Sequence, residues 1–216
     1  MADIKAFIFD LDGVITDTAE LHYRAWQQLA DEEGLTFSRE INERLRGVSR
    51  RASLQIMLDE SRRTIGEDLA EAWMTRKNDY YRAMLADLKP DDALPGVPDF
   101  LRQARRMGIK IGLGSASKNA REVLAALQLA DTFDAIGDGY SVVNGKPAPD
   151  LFVWVAGALG VSPANALVFE DAEAGVEAAL AGGFRVVGLG KATGDKAAFI
   201  LDGLQGVTVP DLLRRL

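Results

Sequence analysis

Ala6-Phe7-Ile8-Phe9-Asp10-Leu11-Asp12-Gly13-Val14 is the stretch that decides the fold. Its first four residues are apolar without alternation, the pattern of a strand buried on both faces in a parallel sheet. Two carboxylates follow, two residues apart. On a continuing strand they point to opposite faces. A turn just after Asp10, which Gly13 permits, brings both to one site. Ligands of open α/β sheets bind outside the C-terminal ends of the strands. A pair of acids there suits a hard metal ion and phosphate chemistry, because Mg²⁺ is usually held by one or two carboxylates plus substrate phosphate. Taken alone, the same pattern is also compatible with a helix-capping turn.

Outward from this strand, over residues 4–9, the chain changes character. From Thr18 to about Leu88 the pattern is helical. Thr18 reads as an N-cap, with Leu21, Ala25 and Leu29 on one apolar face and Gly34 closing the helix. A second helix runs from Ser38 to near Gly47, a third over 52–63 and a fourth over 68–88. Trp73, Met74, Tyr80 and Met84 read as the core of this block. Beyond Leu94-Pro95-Gly96, strands alternate with helices; the strands fall at 109–113, 133–136, 166–169, 185–188 and 207–209. Such alternation predicts a parallel sheet with right-handed crossovers. The expected architecture is a Rossmann-like α/β core, parallel sheet flanked by helices, interrupted by an all-helical cap domain. The core takes 1–14 and 93–216 and the cap 15–92, with linkers at 13–16 and 92–96 able to hinge.

The bulk composition narrows the chemistry. The 216-residue chain has no cysteine, so disulfides, thiol catalysis and thiolate metal sites are excluded. A net charge of −7 argues against nucleic acid as a partner. The N-terminus has no signal-peptide pattern and no apolar run is long enough to span a bilayer. The expectation is a cytoplasmic monomer with a small-molecule substrate and no membrane partner. Gly112-Leu113-Gly114 follows a strand, but Ser117 stands where a dinucleotide fingerprint needs its third glycine, so a nucleotide cofactor is not expected.

Four predicted strand ends carry polar residues: Asp10 and Asp12; Ser115 with Ala116-Ser117-Lys118-Asn119; Lys146-Pro147; and Glu170-Asp171, leading to Gly175. The acids suit a divalent cation, the hydroxyl and free N–H groups suit phosphate oxygens, and the lysine offsets charge on nucleophile and phosphate. This combination resembles the haloacid dehalogenase superfamily of phosphotransferases over the whole chain. The resemblance implies that Asp10 is a nucleophile forming an aspartyl phosphate and that Asp12 is the general acid/base. It implies Mg²⁺ held by Asp10, the Asp12 carbonyl and Asp171, with Glu170 in or beside the set. Ser115 and Lys146 are then expected to grip the transferring phosphoryl group.

Motifs in the helical block narrow the resemblance. Thr16-Asp17-Thr18-Ala19-Glu20-Leu21-His22-Tyr23-Arg24-Ala25-Trp26, Leu45-Arg46-Gly47-Val48-Ser49-Arg50, Arg76-Lys77-Asn78 and Ser115-Ala116-Ser117-Lys118-Asn119 are similar to the β-phosphoglucomutase family. That family interconverts β-D-glucose 1-phosphate and glucose 6-phosphate through a β-glucose 1,6-bisphosphate that serves as primer and intermediate. By this resemblance Arg50 holds the non-reacting phosphate with Ser117, Lys118 and Asn119. Gly47, Val48 and Ser53, with Ser49 and Ala116 beside them, line the sugar site. His22 and Lys77 couple cap closure to Asp12. Read without the resemblance, His22, the one histidine, is a packed or surface side chain. Arg46 stands where the family often has lysine, and Ala172 where it often has serine. The alternative is a capped, Mg²⁺-dependent sugar-phosphate phosphatase, which needs the same core residues but no second phosphate site.

Overall fold

The computed structural model describes residues 3–190, 197 and 199–216. Its first strand, β1 (Ala6–Phe9), is fully buried, as the unbroken apolar run requires. Phe7 and Phe9 point to one side of the sheet and Ala6 and Ile8 to the other, so each side acquires its own apolar cluster. Phe7 stacks on Phe100 and Phe9 on Phe169, with ring centroids 5.7 and 4.5 Å apart. Opposite them, Ile8 meets Phe152 and Val155.

Among the described residues the sheet has six parallel strands in the order β3-β2-β1-β4-β5-β6. These are β2 (Lys110–Gly114), β3 (Ala135–Gly137), β4 (Ala166–Glu170), β5 (Arg185–Leu189) and β6 (Phe199–Leu201). The crossover helices are α5 (Val97–Arg106), α6 (Ala120–Ala126), α7 (Asp150–Leu159) and α8 (Glu173–Ala181), and α9 (Val209–Arg214) closes the chain. Strand order reverses at β1, between β2 and β4, so the crevice of the sheet opens where Asp10, Ser115 and Glu170 end their strands. The α/β class is as expected. The last strand is not: it lies at Phe199–Leu201, and 207–208 lie outside any strand. Thr208 instead caps α9, accepting a hydrogen bond from the Asp211 N–H, with Pro210 in the first turn. Among the described residues no helix is long and apolar enough to cross a membrane.

Between β1 and α5 lie four helices: α1 (Ala19–Glu33), α2 (Arg39–Glu43), α3 (Arg50–Glu60) and α4 (Glu67–Leu85). They share an apolar cluster of their own, centred on Trp26, Leu29, Leu54, Met57 and Trp73. The base of this insert rests on the sheet: Ala25, Tyr81 and Leu85 belong to the cluster of Phe7 and Phe9. Tyr80 and Met84, expected in the insert's own core, pack against that same sheet cluster, because the last turns of α4 lie at the base of the insert, over the sheet. The entering and leaving chain segments run side by side. Leu94 N–H donates to the Ile15 carbonyl at 2.8 Å and Thr16 Oγ1 to the Asp92 carbonyl at 2.8 Å.

Candidate active site

Asp10 is buried at the tip of β1, its N–H donating to the Phe169 carbonyl at 2.9 Å. The chain then turns: Ile15 and Thr16 N–H groups both return to the Leu11 carbonyl. Gly13 makes this turn at φ +76°, a conformation that favours glycine, and a side chain there would strike the Asp171 carboxylate. The turn delivers Asp12 to the same cavity as Asp10.

Beneath Asp10, Lys146 is buried with its ammonium between two carboxylates. It donates to Asp10 at 2.5 Å and to Glu170. Glu170 is further fixed by the Asp171 and Ala172 N–H groups, at 2.8 and 2.9 Å. Burial opposes the Lys146 charge, but Asp10 and Glu170 outweigh it and hold the lysine protonated above its usual range. Burial raises the Asp10 pKa well above the carboxylate range against the pull of Lys146, and the charges of Glu170 and Asp171 add to the rise. Burial, reinforced by Glu170 and opposed by Arg46, pushes Asp171 up to about 7. Asp10, Glu170 and Asp171 each offer an oxygen within 4.8 Å of the others. An all-oxygen, mutually repelling donor set fits a hard divalent cation such as Mg²⁺. Glu170 already holds Lys146 and two backbone donors, so Asp10 and Asp171 have the freer oxygens.

Gly175 in α8 completes this packing, since a Cβ there would overlap the Glu170 carboxylate. Gly175→Ala should therefore destabilise the fold by about 1–3 kcal/mol through the clash, outweighing the roughly 1 kcal/mol that alanine gains in a helix. Urea unfolding reads the difference. An unchanged midpoint would mean that Glu170 has room to move.

Asp12 has a separate environment, supplied by the insert. Thr18 Oγ1 donates to its Oδ1, and His22 Nε2 lies 3.9 Å from its Oδ2. His22 Nδ1 is 2.7 Å from Lys77 Nζ, and its ring stacks on Tyr81 with centroids 4.0 Å apart. Lys77 is itself buried, 5.1 Å from the Trp26 ring centroid. Burial raises the Asp12 pKa, the Thr18 hydrogen bond and Lys77 opposing. Burial also drives Lys77 and His22 well down, Arg50 adding to both shifts and Lys77 to that of His22.

The cavity that Asp10 and Asp12 share has a volume of about 360 Å³. From the core it is walled by Ser115, Ala116, Ser117 and Lys118, and from the insert by Gly47, Val48, Ser49, Arg50 and Ser53. His22, Lys77 and Asp171 also line it. Ser115 Oγ accepts from the Ser117 N–H at 3.1 Å, which shapes the turn into α6. Asn119 stands behind the wall. Its side-chain amide donates to Asn78 Oδ1 at 2.8 Å, and Arg50 donates to the same oxygen at 2.7 Å. One carbonyl on α4 thus joins an insert arginine to a core asparagine. Arg46 makes a second bridge between insert and core, pairing with Asp171.

Every residue expected to act at the site lines this cavity or is bonded to a residue that does. Four contributors were not singled out: Thr18 beyond its helix start, Tyr81, Asn78 as the link to Asn119, and the Arg46–Asp171 pair. The expected N-cap at Thr18 is in place, but its side chain makes no cap bond and is turned toward Asp12 instead. One sequence signal was available for α4. Lys77 and Tyr81 continue the buried stripe of Ala70, Trp73 and Met74 at helical spacing, which places polar groups inward.

The family model for haloacid dehalogenase-like hydrolases matches residues 4–183. The chain is 45% identical over 192 residues to a β-phosphoglucomutase of Bacillus subtilis (strain 168), covering 87% of this chain and 84% of that one. It is 30% identical over 211 residues to a phosphorylated carbohydrates phosphatase of Thermotoga maritima, with 96% and 95% covered. Among solved structures, the crystal structure of a β-phosphoglucomutase from Clostridium difficile superposes with a TM-score of 0.94 at 38% identity, over 98% of this chain and 96% of that one.

Proposed function

This chain belongs to the haloacid dehalogenase-like family and within it to the β-phosphoglucomutases, and from that premise we propose that it moves a phosphoryl group between C1 and C6 of glucose through Asp10. Residues 15–92 serve as the cap over an α/β core of 1–14 and 93–216. In one direction, phosphorylated Asp10 gives its phosphoryl group to the C6 hydroxyl of β-D-glucose 1-phosphate while Asp12 takes the hydroxyl proton. The bisphosphate turns around. Asp10 then attacks the C1 phosphorus, and Asp12 returns its proton to the departing oxygen, leaving glucose 6-phosphate and phospho-Asp10. The resting aspartate must first be loaded, so β-glucose 1,6-bisphosphate acts as primer as well as intermediate.

The roles follow from the chemistry of the groups. Lys146 holds Asp10 oriented and offsets negative charge where the phosphoryl group transfers, and Ser115 with the adjacent N–H groups receives its oxygens. Asp10 and Asp171, with the Asp12 carbonyl and Glu170 alongside, would hold Mg²⁺, which supplies charge neutralisation of the transferring group. Arg50, Ser117, Lys118 and Asn119 hold the second phosphate, and Gly47, Val48, Ser49, Ser53 and Ala116 face the sugar. His22 and Lys77 orient Asp12. Closing the cap excludes water, which otherwise hydrolyses the aspartyl phosphate.

The observation that carries the mutase reading is the Arg50–Asn78–Asn119 link. It assembles cationic and amide donors beside the cavity that Asp10 lines, for a phosphate that is not reacting. Sugar-phosphate hydrolysis has no need of that second anion site. The Thermotoga maritima relative keeps hydrolysis as the competing reading. The discriminating assay supplies β- or α-glucose 1-phosphate with Mg²⁺ and a trace of bisphosphate, following glucose 6-phosphate and free phosphate together. We expect glucose 6-phosphate from the β anomer in large excess over free phosphate. Free phosphate as the main product from both anomers would favour the phosphatase.

A further inference from the structure

We infer that Tyr81 is a positioning residue for Asp12, acting through the hydroxyl of Thr18. The inference rests on Asp12 being the acid/base of the proposed reaction. Tyr81 is completely buried, and its hydroxyl donates to Thr18 Oγ1 at 3.1 Å. Thr18 in turn donates to Asp12 Oδ1. A threonine hydroxyl has one hydrogen and two lone pairs. At a helix start it ordinarily accepts a backbone N–H of the first turn; Thr18 accepts none. With the Tyr81 O–H on one of its lone pairs, its single hydrogen is committed to the carboxylate. An ionised carboxylate only accepts, so the order of donors is Tyr81 to Thr18 to Asp12.

The geometry gives this chain a mechanical purpose. Asp12 sits on the core-side turn, whereas Thr18 and Tyr81 sit at the start of α1 and in the last turns of α4. The Tyr81 ring is itself fixed: it stacks on His22 at an interplanar angle of 24°, with Lys77 Nζ 4.9 Å from its centroid. The carboxylate that must meet a sugar hydroxyl is thus oriented by the body of the insert and not by its own loop. Tyr81 touches no reacting atom. Without its hydroxyl, Thr18 is free to rotate, and Asp12 loses its fixed orientation.

The test compares Tyr81→Phe, Thr18→Val and the double variant with the full-length wild-type protein in two reactions. In the first, Asp10 takes a phosphoryl group from acetyl phosphate; the leaving carboxylate needs no proton, so Asp12 is not required. In the second, phospho-Asp10 passes the group to β-glucose 1-phosphate, where a proton must be removed. Tyr81→Phe is expected to lower kcat of the second reaction about threefold to tenfold, the worth of one hydrogen bond. KM and the rate with acetyl phosphate should stay within about twofold, as expected of a group acting only when a proton moves. Thr18→Val, which leaves Tyr81 intact, should show the same split, and the double variant should be no slower than Thr18→Val. Undiminished kcat in Tyr81→Phe, equal slowing of both reactions, or multiplying effects in the double variant would each overturn the inference. A wild-type protein that accepts phosphoryl groups but transfers none to the sugar overturns the role given to Asp12, and this inference with it.

Discussion

Replacement of Asp10 by asparagine is expected to abolish the phosphoenzyme and lower turnover by about 10⁴-fold or more, the scale seen when a covalent nucleophile is removed. An amide keeps the shape of the side chain but cannot attack phosphorus. The fold should survive the change. Lys146 keeps Glu170 as its partner. Asp10 also stands among acids that raise one another's pKa, so neutralising it relieves repulsion in a buried cluster. With no cation bound, the raised folded-state pKa means that the ionised Asp10 works against stability at neutral pH, so the metal-free variant should melt at the same temperature as the metal-free parent or higher. Intact-mass measurement after exposure to acetyl phosphate reads the covalent adduct, and thermal melting reads the fold. An adduct that persists in Asp10→Asn places the nucleophile elsewhere.

Arg50→Ala is expected to lower mutase flux about 10²-fold, the usual cost of removing one partner of a buried charge-assisted contact. The share of turnover that ends as free phosphate should rise. Binding energy from a phosphate that does not react is what pulls the cap closed and orients the sugar. Without it, phospho-Asp10 is exposed to water for longer. The loss should propagate to Asn119, because Asn78 Oδ1 then accepts from one partner in place of two. Simultaneous assay of glucose 6-phosphate and inorganic phosphate gives the ratio. A proportional fall in both products would remove Arg50 from the second phosphate site.

The outline of this protein was readable because its decisive signals are local. An unbroken apolar run ending in Asp10 specifies a doubly buried strand, and polar residues at later strand ends gather at one edge once the sheet is parallel. The edge strand β6 was not legible in this way. Phe199-Ile200-Leu201 is apolar but only three residues long, too short for periodicity to tell a strand from a helix, while Val207-Thr208-Val209 imitates a strand; the cap from Thr208 to Asp211 and Pro210 decide for a helix. Long-range pairing was less legible still. That Asn78 bonds Asn119, 41 residues away, or Arg46 bonds Asp171, 125 away, depends on how the insert lies over the sheet. No local spacing encodes it. Tyr81 and Thr18 are an intermediate case: each lies on a helix face whose period was visible, but their meeting needs α1 and α4 packed together.

In the proposed reaction the phosphoryl group is relocated on glucose by way of Asp10 and not released. The most direct measurement supplies β-glucose 1-phosphate carrying radioactive phosphorus, with Mg²⁺ and a trace of unlabelled bisphosphate, and follows the label. We predict that it passes into β-glucose 1,6-bisphosphate and the protein, then into glucose 6-phosphate, with little appearing as inorganic phosphate. Label that leaves the sugar directly as inorganic phosphate, with none in the bisphosphate or glucose 6-phosphate, would mean that this protein hydrolyses the phosphate and does not relocate it.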